Sequence, residues 1–247
     1  MSDVVYPPVV AAVRAMVRVL DIRVHLEGAV HVPRIGGAVL ATNHVSYLDF
    51  LFCGLGARPS RRLVRFMAKE EIFAHRVAGP LMRGMHHISV DRAAGIASYK
   101  AALAVLTAGE VVGVFPEATI SRSFAVKEFK GGASRMAAAT GVPLVPMALW
   151  GTQRLWTKGQ PRSLIRRRLP ISILVGEPLR PHRRDNPADV TAELRNRMSS
   201  LLSRAQREYP DMPTDADDAW WQPAHLGGRA PTPEQVAAQD AEAAGRV

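Results

Sequence analysis

One cysteine in 247 residues, Cys53, excludes an intrachain disulfide framework. Alone, it reads as a packing residue and fits a reducing compartment. Aromatic residues make up only 6% of the chain, and no recognisable nucleic-acid motif accompanies them. That argues against a nucleic-acid partner despite the basic charge. No apolar run reaches the roughly 20 residues that span a bilayer. The expected N-terminus has no secretory leader, because Asp3 is acidic and the first apolar stretch is broken by prolines and arginines. No metal-ligand cluster is apparent: His86 and His87 stand side by side without cysteines or paired carboxylates nearby. There is no internal repeat.

What is present is a chain that is 47% hydrophobic, enough for one sizeable core and one principal domain. The net charge is +10, but it is unevenly spread. Residues 211–247 carry seven acidic and two basic side chains, so the rest of the chain holds +15. A basic body selects anionic partners, such as membrane lipid or an acidic substrate. Arg162, Arg166, Arg167 and Arg168 form the densest cluster, which reads either as a lipid-headgroup site or as a solvated basic surface.

Periodicity predicts three parts. Residues 1–21 hold an amphipathic helix. Ala11, Arg14, Ala15 and Arg18 share one face of it, and Val10, Val13, Met16, Val17 and Leu20 fill much of the remainder. Such a helix lies in a membrane interface with its arginines at the headgroups, or packs on its own domain. In residues 22–209 short apolar strands alternate with helices. Strands are expected at 22–27, 38–42, 63–68, 87–90, 111–115, 144–149 and 171–175. Helices are expected from 46–55, 70–82, 95–108, 132–140 and 186–208. The alternation predicts an α/β fold, a mixed central sheet flanked by helices. Residues 210–247, rich in Ala, Pro and Asp, read as a loosely held tail that Trp220 and Trp221 anchor in part.

Two polar segments leave the ends of apolar strands, where ligands gather in open α/β sheets. The first is Asn43-His44-Val45-Ser46-Tyr47-Leu48-Asp49. An aspartate one turn into a helix can reach back to one imidazole nitrogen, fix the tautomer, and leave the other nitrogen to accept a proton. No serine or cysteine nucleophile is then required, since a substrate hydroxyl can attack. The plainer reading makes Asn43 or Ser46 a helix cap and His44 incidental. The second segment is Phe115-Pro116-Glu117-Ala118-Thr119-Ile120-Ser121, in which Glu117 either meets a substrate hydroxyl or sits in a surface turn. Cations surround both segments: Arg92 after one short strand, then Arg122, Lys127, Lys130 and Arg135, with Gly131-Gly132 opening a helix. Together they suit an anionic ligand, while each alone reads as a solvated side chain.

In order and spacing, the segments at 43–49, Arg92, 115–121 and 142–146 resemble the four blocks of the 1-acylglycerol-3-phosphate acyltransferase family. Those blocks read N-H-x-S-x-x-D, an arginine after a short strand, F-P-E-G-T-R-S, and V-P-[LIV]-x-P. Phe129-Lys130-Gly131-Gly132-Ala133 is similar to the family's F-K-x-G-[AS] stretch. The resemblance runs from about residue 20 to 178. It implies that His44 is the general base, oriented by Asp49. Arg92 and Lys130 then hold the acceptor's phosphate, and Glu117 and Thr119 shape the acceptor site. Backbone amides near the helix entrance stabilise the oxyanion. Two positions depart from the pattern: Ala118 stands at the family glycine and Ile120 at the family arginine, a variant that looks like an actinobacterial branch. Arg122, two residues on, is the candidate to take over the arginine's role.

The implied reaction moves a fatty acyl group from a thioester of coenzyme A or acyl carrier protein to lysophosphatidate, with no cofactor. Glycerol 3-phosphate or another lysophospholipid is the alternative acceptor. A non-catalytic lipid-binding protein is the alternative of a different class, and it has no need of the His44/Asp49 pair. The expected partners are the two substrates and an anionic membrane. The expected location is peripheral, on the cytoplasmic face of the cell membrane.

Overall fold

The computed structural model describes residues 3–91 and 95–244. Among them, seven strands form one sheet: β1 (Arg23–Glu27), β2 (Ala38–Thr42), β3 (Val64–Lys69), β4 (Ile88–Val90), β5 (Val111–Val114), β6 (Leu144–Trp150) and β7 (Pro170–Val175). Their order is β1-β7-β6-β2-β5-β3-β4. β6, β2, β5, β3 and β4 run parallel, while β7 pairs antiparallel with β6 and parallel with β1. The expected mixed sheet is therefore present. Every residue of β2, β5, β6 and β7 is buried, as the continuous apolar runs of a two-sided sheet require.

Helices α1 (Tyr6–Val19) and α2 (Asp49–Ala57) pack on one side of the sheet. α3 (Glu70–Ala74) and α4 (Ala78–Gly84) follow β3. α5 (Gly95–Thr107), α6 (Gly132–Thr140) and α7 (Pro187–Arg207) cover the other side. Local chemistry sets the ends. Asn186 caps α7 by accepting from the Ala188 N–H, Pro187 occupies its first turn, and Arg204 and Arg207 oppose the helix dipole at its last. The helix expected over 70–82 is broken at His75, whose Nδ1 accepts from the N–H groups of Val77 and Ala78 and so starts α4.

One of the two expected settings of α1 is visible, and the reading of the C-terminal segment needs correction. α1 is amphipathic, but its apolar stripe is turned onto the domain. Tyr6 is buried with its hydroxyl on the Val64 carbonyl, and Met16, Val17 and Leu20 pack against the core. The outward strip carries Ala11, Arg14, Ala15 and Arg18. The C-terminal segment is not loose either. It turns back over α7 and β6, buries Trp221 (1% exposed), and ends in α8 (Pro233–Ala244) with Val236 inside. Its polar composition hides a few well-placed apolar anchors.

Candidate active site

β5, β2 and β6 are neighbours and parallel, so their carboxyl ends deliver three consecutive loops to one place. β2 delivers Asn43 and His44. Asn43 is pinned to β6, giving its amide N–H to the Leu149 carbonyl (3.0 Å) and accepting from the Leu149 N–H (2.7 Å). α2 starts only at Asp49, three residues later than expected at 46, because the intervening turn wraps around the aspartate. Asp49 Oδ2 accepts from His44 Nδ1–H at 3.0 Å and from the N–H groups of Val45 and Ser46, both at 2.7 Å. Asp49 is fully buried, whereas the His44 side chain is 20% exposed. With Nδ1–H committed to the carboxylate, Nε2 is the nitrogen left to take a proton. The imidazole lies stacked on Phe115 at 4.2 Å between ring centroids.

β5 delivers Phe115 to Arg122. Glu117 is buried, and both its oxygens go to backbone: Oε1 accepts from the His44 N–H (2.9 Å) and Oε2 from the Lys127 N–H (3.2 Å). Through Oε1 it ties the two loops together. Burial pushes its carboxyl up to about 7, against the opposing pull of those two N–H donors. The Ser121 N–H closes the same junction onto the His44 carbonyl (2.7 Å). Ala118 has φ +58°, the left-handed conformation that glycine adopts without strain, so the turn keeps its shape with the costlier residue.

The candidate substrate-binding residues divide. Thr119 and Lys130 are exposed at this end of the sheet, and the Lys130 N–H is held by the Pro116 carbonyl (2.9 Å). Ile120 is buried. Arg122 is taken by α8, with Nη2 on Asp240 Oδ1 (2.7 Å) and Nη1 on Gln239 Oε1 (2.9 Å). Arg92 lies outside the described residues. One residue escaped the sequence reading. Thr152, at the end of β6, is fully buried and donates to Asp49 Oδ1 at 2.6 Å. Its only signal was a run of three polar residues, Thr152 to Arg154, one glycine past an apolar strand.

A histidine held by a buried carboxylate at the strand ends of a mixed sheet is the arrangement of a general base, able to activate a hydroxyl. The chain belongs to the acyltransferase family, whose model matches residues 23–150. More particularly, it is 31% identical over 153 residues to the 1-acyl-sn-glycerol-3-phosphate acyltransferase of Bacillus subtilis, covering 60% of this chain and 70% of that one. It is 33% identical to the protein of the same name from Limnanthes douglasii, where the match spans 63% of this chain and only 54% of the relative. The fold is also that of a 1-acyl-sn-glycerophosphate acyltransferase, PlsC, from Thermotoga maritima, with a TM-score of 0.67, 21% identity and 82% of each chain covered.

Proposed function

We propose that the protein acylates the free hydroxyl of lysophosphatidate, taking the acyl group from a thioester of coenzyme A or acyl carrier protein. The observation that carries this reading is the buried Asp49 carboxylate holding His44 by Nδ1 at 3.0 Å. His44 Nε2 removes the proton of the acceptor hydroxyl as its oxygen attacks the thioester carbonyl. Asp49 stabilises the imidazolium so formed. The tetrahedral intermediate collapses, the C–S bond breaks, and the imidazolium returns its proton to the departing thiolate. The ester and the free thiol carrier are the products.

Arg92 and Lys130 are the cations assigned to the acceptor's phosphate. Of the carboxylate and cations in the second loop, Glu117 and Arg122 already have partners within the protein, which favours Lys130. An acceptor panel of lysophosphatidate, glycerol 3-phosphate and neutral lysophospholipids, run with palmitoyl-CoA and with palmitoyl-acyl carrier protein, tests the assignment. Transfer to lysophosphatidate is the expected result. Preference for a neutral lysophospholipid overturns the choice of acceptor, and no transfer to any of them overturns the enzyme reading.

The setting we propose for the reaction is a membrane surface, on its cytoplasmic face. Among the described residues no helix is long and apolar enough to cross a bilayer. The catalytic end of the sheet carries exposed apolar side chains, Tyr47 (43%), Leu164 (43%) and Ile165 (84%), beside Arg162 and Arg167. Arg162 lies over the Trp156 ring at 4.4 Å, and Trp156 packs on Tyr47. Apolar tips ringed by arginines suit an anionic interface, each cation contributing about 1 kcal/mol there. Flotation with phosphatidylglycerol vesicles tests this. Ile165→Asp with Arg162→Ala is expected to weaken binding, and unchanged flotation rejects the placement.

A further inference from the structure

We propose that Thr152 is a positioning residue for acyl transfer, fixing the Asp49 carboxylate from the oxygen that His44 does not use. This rests on the acyl-transfer reading above. The torsion that turns a carboxylate about its Cβ–Cγ bond is soft. Turning about it carries Oδ2 off its donors and Oδ1 with it, so a donor on Oδ1 resists the same rotation from the opposite side and sharpens the direction in which His44 is held. Asp49 Oδ2 takes its three donors from residues 44–46, all within the same turn. Oδ1 takes its donor from Thr152, 103 positions away and on a neighbouring strand end. The carboxylate is therefore fastened at both oxygens, and the second fastening is to the turn after β6 rather than to the loop that carries His44.

The turn bearing Thr152 is itself held rigidly. Gly151 has φ +99°, and a Cβ there would strike the Pro170 carbonyl and the Tyr209 hydroxyl. Its N–H is accepted by Gln153 Oε1 at 2.9 Å. Thr152 and Gln153 are fully buried and Arg154 is 3% exposed, an unusual burial for a polar triplet. The C-terminal segment supplies the partners. Arg154 reaches Asp211 Oδ2 (2.6 Å) and the Tyr209 hydroxyl (3.3 Å), and its guanidinium lies 4.2 Å over the Trp221 ring. Residues 209–221 thus back the turn that backs the catalytic carboxylate.

Steady-state kinetics of Thr152→Val, Thr152→Ser, Asp49→Asn and the Asp49→Asn/Thr152→Val double variant test this, with lysophosphatidate and palmitoyl-CoA each varied. Thr152→Val is expected to lower kcat about ten- to a hundredfold, as loss of a hydrogen bond to a charged group does, with both KM values within about twofold. Thr152→Ser is expected to restore most of the rate. On the Asp49→Asn background Thr152→Val is expected to cost less than about twofold more, because both act through one carboxylate. The His44 Nδ1–H proton resonance is expected to shift in Thr152→Val and return in Thr152→Ser. A folded Thr152→Val with wild-type kcat and an unmoved resonance overturns the proposal, as do additive losses in the double variant. Should Thr152→Val fail to fold, Thr152→Ala carries the same expectations. If the wild type transfers nothing, the acyl-transfer reading has failed instead, and the resonance still reports on Thr152.

Discussion

The two loops that build the site leave adjacent parallel strands, yet they use their polar groups in different ways. The loop at 43–49 turns everything onto one function: its N–H groups, its aspartate and its histidine form a single hydrogen-bonded unit with one ring nitrogen left for chemistry. The loop at 115–122 turns its polar groups inward. Glu117 is taken by backbone, Arg122 by α8, and Ile120 is buried. The first loop matches the acyltransferase pattern throughout, while the second departs from it at Ala118 and Ile120. The difference teaches that reaction and acceptor recognition are separable here. On the proposed reading the first loop carries the chemistry, while in the second Glu117 is a brace and Lys130 is left for the acceptor.

Breaking the first loop is expected to have the largest effect. Asp49→Asn keeps the shape but loses the charge that stabilises an imidazolium, and is expected to lower kcat about 10²–10⁴-fold with little change in acceptor KM. Glu117→Ala strikes the brace. It strands two backbone N–H groups, at about 1–3 kcal/mol each, and is expected to lower Tm by several degrees as well as kcat, measured by calorimetry and kinetics together. Lys130→Ala is expected to raise the KM for lysophosphatidate about tenfold with donor KM unchanged. Arg122→Ala is expected to leave acceptor KM within about twofold and to cost under about 1 kcal/mol of stability, because its partner Asp240 is half exposed. A tenfold rise in acceptor KM for Arg122→Ala would mean that α8 releases it to substrate. Ala118→Gly relieves a left-handed alanine and is expected to raise Tm by about 2–4 °C.

The brace also has a pH signature. The folded protein holds the Glu117 proton more tightly than the unfolded chain does, since burial raises its carboxyl from 4.5 to about 7. Its contribution to stability is therefore lost as pH rises from about 4.5 to about 7. Tm measured across that window is expected to fall less for Glu117→Gln than for the wild type.

Local pattern made most of the fold legible in the sequence. β2 and α6 fall where periodicity put them, and most other strand ends shift by only a residue or so, because buried parallel strands are uninterrupted apolar runs. The His44–Asp49 pair was legible because both partners lie in one turn. What was not legible depends on distant partners. Thr152 meets Asp49 across 103 positions and Arg122 meets Asp240 across 118, and no short-range pattern encodes either contact. Glu117 looked like a substrate ligand because nothing local shows that two backbone donors surround it. The stripe of α1 has the same amphipathic pattern whether it meets lipid or its own domain, and only packing on the core distinguishes the two.

The most direct test of the account is a single comparison. Palmitoyl transfer from the thioester to lysophosphatidate is measured for the purified wild type and for folded His44→Ala at matched concentration. The account predicts robust transfer by the wild type and a loss of at least about 10²-fold in the variant, with its melting temperature unchanged to within a few degrees. Near-wild-type turnover by folded His44→Ala contradicts it.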